Sequence, residues 1–135
     1  MIHPSGGRFA ALRLCPGDDL IGGLEAALAE MGAQAAALVT CVGSLTEASL
    51  RFADRPDGTA LEGPFEIVSL IGTLEPAGWH LHAALSDAEG RVVGGHLMPG
   101  CPVRTTAEIV MVLLDDLRFA RRLCPLSGYR ELDIR

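Results

Sequence analysis

The chain has 135 residues, 49% of them apolar, a formal charge of −6 at pH 7 and a mean hydropathy of +0.31. That length suits a single domain, residues 1–135, with room for a substantial core. The acidic balance disfavours a non-specific grip on nucleic acid, which depends on clustered cations, and the longest apolar run, Ile109 to Leu114, is far too short to span a bilayer.

The first expected strand is Arg8 to Leu14, ended by Pro16-Gly17. Asp18 then reads as a helix N-cap, with Asp19 adding favourable charge at the N-terminus. Leu20, Ile21, Leu24, Ala27, Leu28 and Met31 repeat at helical spacing, and Gly32 suits the position just past the end. Ala35 to Val42 is an apolar strand, Gly43-Ser44 a break, and Glu47 to Ala53 an alternating strand. Asp54-Arg55-Pro56-Asp57-Gly58 carries turn chemistry, and Phe65 to Leu74 reads as a buried strand. Thr105 to Leu114 is almost continuously apolar, as expected of a strand covered on both faces, and Tyr129 to Ile134 closes the chain as a last strand. Many strands and one clear helix imply an α+β domain, mostly an antiparallel sheet or partial barrel.

The chemistry concentrates between Gly78 and Leu97, where three of the four histidines fall. His80 and His82 are two apart, so on a strand they share one face while Trp79, Leu81, Ala83 and Leu85 take the other. Asp87-Ala88-Glu89-Gly90 reads as a type I turn with Gly90 left-handed, which pairs Asp87 with Arg91. Counting back along both arms sets His82 opposite His96, and directly opposed residues share a face with Cβ atoms about 4.5–5.5 Å apart. Three neutral imidazoles on one patch suit Zn²⁺ or another divalent ion, with a fourth position open for water or ligand. The competing reading is three half-buried histidines that hydrogen-bond within a polar strand face.

Several segments carry a resemblance. They are Pro-Gly-Asp-Asp-Leu (16–20), Val-Gly-Ser-Leu-Thr-Glu-Ala-Ser-Leu-Arg (42–51) and Gly-Pro-Phe-Glu-Ile-Val-Ser-Leu-Ile-Gly-Thr-Leu (63–74). Leu-His-Ala-Ala-Leu-Ser-Asp-Ala-Glu-Gly-Arg-Val-Val-Gly-Gly-His-Leu (81–97), Gly-Cys (100–101) and Thr-Thr-Ala-Glu-Ile-Val (105–110) follow in order. In these the chain resembles the PPC domain, a family shared by plants and prokaryotes. The resemblance implies an α+β domain that assembles as a homotrimer, and a DNA-associated regulatory role as the alternative to small-molecule binding or turnover. The plant-type Arg-Gly-Arg-Pro hook is absent, and Pro64 stands where the plant segment has arginine. The fold implied also looks like that of acetolactate decarboxylase, whose zinc is held by a His-x-His pair and a later histidine, a pattern matched by His80, His82 and His96.

Other residues bear on the site. Glu108 interrupts an apolar run, where an unpaired carboxylate is costly to bury. It is a candidate general base or a partner that orients a histidine, against a structural pairing with Arg104 or with an arginine of a neighbouring subunit. Cys101 is weighed as a further ligand against a plain buried thiol. Arg118, Arg121 and Arg122 form the one basic cluster, read as surface or subunit pairing in preference to phosphate contact. His3 lies in the N-terminal stretch and is assigned no role. The four cysteines, Cys15, Cys41, Cys101 and Cys124, show no C-x-x-C spacing, and the first residues lack the apolar core of a signal peptide, so a reduced cytoplasmic setting is expected.

Overall fold

The computed structural model describes residues 2–135. In chain order the elements are β1 (Gly7–Leu14), α1 (Leu20–Glu30), β2 (Ala36–Arg51), β3 (Thr59–Glu75), β4 (Gly78–Ser86), β5 (Val92–Leu97), β6 (Val103–Leu114), β7 (Phe119–Leu123) and β8 (Arg130–Ile134). Six strands form one antiparallel sheet in the order β1-β6-β2-β3-β4-β5, while β7 and β8 pair as a separate hairpin. β5 also meets the far end of β2 through Leu50↔Leu97 and Arg51↔His96. This contact curls the sheet without closing it into a barrel. The α+β expectation therefore holds, with one helix on a mostly antiparallel sheet.

The helix buries Leu20, Ile21, Leu24 and Leu28, the stripe its 3.6-residue spacing demands. They pack with Leu14, Leu50, Leu70, Leu85, Ile109 and Met111 from the inner face of the sheet. Its N-cap is Asp19, one residue later than expected: the Asp19 carboxylate accepts from the Gly22 N–H at 3.0 Å. Asp18 accepts instead from the Cys15 N–H at 2.7 Å and braces the turn that precedes the helix.

Two strand expectations also change. The expected break at Gly43-Ser44 is a bulge inside one sixteen-residue strand, with a register shift against β6 between Gly43 and Leu45. Gly43 is needed there because a Cβ atom would lie 2.1 Å from the Thr106 carbonyl oxygen. β6 is not covered on both faces: Ala107, Ile109, Met111 and Leu113 are buried, whereas Val110 and Val112 are half-buried and Glu108 is exposed. The only helix among the described residues packs on one side of the sheet, so apolar side chains on the other side stay open to solvent. The strand at Phe119–Leu123 has no counterpart in the sequence reading.

Candidate metal centre

β4 alternates as its sequence requires. Leu81, Ala83 and Leu85 enter the core, and His80 and His82 stand on the opposite, exposed face. The following turn fixes the register. The Asp87 N–H donates to the Arg91 carbonyl at 2.9 Å and the Gly90 N–H to the Asp87 carbonyl at 3.0 Å, with Gly90 at φ +79°. The Asp87 carboxylate accepts from the Glu89 and Arg91 N–H groups at 3.0 and 2.8 Å. So held, the hairpin sets His82 directly opposite His96.

The three rings converge. Centroids lie 4.9 Å apart for His80 and His82, 5.2 Å for His80 and His96, and 5.7 Å for His82 and His96. One nitrogen from each ring falls within 4.8 Å of the others, and the Nε2 atoms of His80 and His82 are 3.2 Å apart. Two imidazoles on one tetrahedral zinc, with Zn–N of about 2.0–2.1 Å, have nitrogens about 3.3 Å apart. The pair therefore already has the spacing of two ligands on one ion. Burial, followed by the charge of Arg51, pushes the His96 pKa down to about 4. Burial, followed by the neighbouring His82 and Arg121, also lowers His80. Uncharged rings offer lone pairs, which is the form a metal requires.

Of the other residues singled out from sequence, none joins the three histidines. Glu108 is exposed on β6, opposite Arg13 on β1 and Val42 on β2. Its β2 partner Val42 lies nine residues along that strand from Arg51, the partner of His96, and Glu108 is not among the side chains gathered with the rings. It is neither buried nor within reach of the rings in its own chain, and no ion pair with Arg104 forms among the described residues. The apolar run around it covers the core with one face only, so its carboxylate stays in water. Cys101 is fully buried; its thiol lies 3.3 Å from the Met98 carbonyl and 3.3 Å from the Ser49 N–H, and burial raises its pKa. It is a core thiol and is not among the side chains gathered with the rings.

The basic cluster separates by strand parity. Arg122 is exposed, whereas Arg121 turns inward and its Nε donates to Glu75 at 2.6 Å. Glu75 is only 2% exposed, and Arg121 Nη2 also donates to Thr73 Oγ1 at 3.0 Å. Thr73 is the cross-strand partner of His80, so this ion pair fastens the β7–β8 hairpin beside the histidines. Between them opens a pocket of about 870 Å³ lined by His80, His96, Arg51, Trp79, Arg121 and Tyr129 among others. Sequence reasoning missed Arg51 and the Glu75–Arg121 pair, because both depend on contacts between distant segments. The turn residues Pro76 to Gly78 after Glu75 were the one local hint.

An antiparallel sheet with one helix and three imidazoles gathered on its open face defines a small α+β domain with a candidate metal centre. The family follows from comparison: the chain belongs to the Plants and Prokaryotes Conserved (PCC) domain family, whose model matches residues 1–115. Over 127 residues, 94% of this chain, it is 46% identical to the bifunctional protein GlmU of Synechococcus sp. (strain JA-3-3Ab). The match takes in 20% of that protein, so the chain spans about a fifth of the length of the curated relatives it matches. A solved hypothetical protein from Salmonella cholerae-suis is 48% identical with a TM-score of 0.96, covering 98% of this chain and 96% of that one. A solved metal-containing protein from Archaeoglobus fulgidus is 28% identical with a TM-score of 0.81, covering 95% and 94%.

Proposed function

We propose that the chain is a homotrimeric protein in which His80, His82 and His96 hold a divalent ion, Zn²⁺ in first place, at a centre that binds or transforms a small molecule. The observation that carries this reading is the convergence of three imidazoles to within 4.8 Å at the rim of an open pocket. Structural histidines in a strand face have no need to aim three nitrogens at one point. The metal content of the Archaeoglobus relative supports the same reading. An ion held by His80, His82 and His96 would keep a position for water or ligand and would supply the means to polarise a carbonyl or lower the pKa of bound water.

Assembly is supported by the open face of the sheet. Phe9, Val39, Val42, Val68 and Ile71 are each more than half exposed, an apolar share of surface that a monomer rarely leaves in water. Ile71 is also the cross-strand neighbour of His82, so association there would border the centre. Four free cysteines, two of them buried, suit a reducing cytoplasmic setting. No helix among the described residues is long and apolar enough to cross a membrane.

Calorimetric titration of chelator-treated protein with Zn²⁺ tests the centre. Saturation near one ion per chain, lost in His82→Ala, is expected. Equal uptake by the wild type and His82→Ala would return the three rings to a structural role.

A further inference from the structure

The pocket beside the histidines differs in charge from the acidic chain that forms it. Glu75 pairs with Arg121 at 2.6 Å, Glu131 accepts from the neutral Ser127 hydroxyl at 3.0 Å and keeps its charge, and against these two carboxylates the lining carries three arginines, Arg51, Arg121 and Arg130. Arg51 is different. It is half-buried on the pocket wall, and no ion pair forms with it among the described residues. The β2–β5 contact sets it directly opposite His96, so guanidinium and imidazole rise from adjacent positions on one face. That contact has its own requirement. A Cβ on Gly95 would lie 2.8 Å from the Arg51 carbonyl oxygen, so glycine there lets the strands approach and brings Arg51 to the rings. Facing this wall, the β7–β8 hairpin supplies Arg121 and Tyr129, and Trp79 supplies an aromatic surface. The whole of that hairpin lies beyond residue 115, where the family match ends.

We propose that this pocket takes a small organic carboxylate, held by its carboxylate on Arg51, with an oxygen donor at the open metal position and its carbon part against Trp79 and Tyr129. The inference rests on the reading that the three histidines hold a metal. A guanidinium matches a carboxylate with two parallel N–H bonds. Arg130 also lines the pocket outside any ion pair, but its Nη2 donates to the Arg121 carbonyl at 2.9 Å, so Arg51 is the guanidinium left beside the rings for one such group among the described residues. The aromatic walls favour a partly apolar molecule over inorganic phosphate. The hairpin, clamped by Glu75 and Arg121, then sets the size of molecule accepted.

Trp79 is the single tryptophan of the chain, so its fluorescence reports on this pocket directly. Zinc-loaded protein would be titrated with mandelate and lactate, which carry both groups, and with benzyl alcohol, which lacks the carboxylate. Zinc stoichiometry would be measured separately on each variant. Saturable quenching by at least one carboxylate, none by benzyl alcohol, and a loss of about tenfold or more in affinity in Arg51→Gln are expected. Arg51→Lys should fall between, and both variants should keep zinc. If zinc loads but neither carboxylate binds, or Arg51→Gln binds as the wild type does, this inference fails while the metal reading stands. If zinc does not load but Arg51-dependent quenching persists, the carboxylate site stands without the metal.

Discussion

Asp19 shows how much one carboxylate does at the residue scale. It caps α1 through Gly22, and its other oxygen accepts from the Gly100 and Cys101 N–H groups at 3.1 and 2.9 Å. It thus ties the helix to the connection that leads from His96 into β6. Burial opposes its ionisation, but the backbone N–H bonds outweigh burial and the net pKa lies below the ordinary 3.8. A carboxylate depressed by folding stabilises at pH values above its unfolded pKa, and that stabilisation is lost as pH falls through the folded value. Asp19→Ala should therefore cost about 1–2 kcal/mol at pH 7. In denaturant titrations the gap between wild type and Asp19→Asn should shrink as pH falls below 3.8. A pH-independent gap would mean that the hydrogen bonds matter and the charge does not.

At the scale of elements, the histidine hairpin was legible because everything that fixes it is local: strand parity, an Asp-x-x-Gly turn and a register counted from it. The helix was legible for the same reason, apart from a one-residue shift in its cap. What escaped was non-local. Arg51 reaches His96 through a two-residue contact between segments far apart in sequence, and no local pattern announces such a pairing. The exposure of Glu108 was not legible because a nearly continuous apolar run implies burial on both sides, whereas the outer face of β6 is open. Gly43 looked like a terminator because a bulge and a break share one signature residue. The β2–β5 contact makes an element-scale prediction. Gly95→Ala must push against the Arg51 carbonyl, so it should lower stability by about 1–3 kcal/mol as an overpacked contact does. It should also weaken zinc binding by moving His96. Wild-type stability and zinc affinity in Gly95→Ala would show that the strands have slack there.

At the scale of the whole molecule, the apolar open face and the net charge of −6 lead to separate expectations. Multi-angle light scattering should give about three times the 14.2 kDa chain mass, whereas a soluble monomer at micromolar concentration would remove the trimer. DNA binding, if detected at low salt, should collapse as salt rises, because counterion release would supply nearly all of it. Tight binding to one sequence at physiological salt would instead favour the DNA-associated role. Neither result bears as directly on the central claim as the metal content of the protein itself. Protein purified without a nickel column and analysed by mass spectrometry of its elements should carry close to one divalent ion per chain. His82→Ala, shown by circular dichroism to be folded, should carry almost none. A wild type that holds no ion even after exposure to zinc, or a His82→Ala variant that keeps its full complement, would contradict the account.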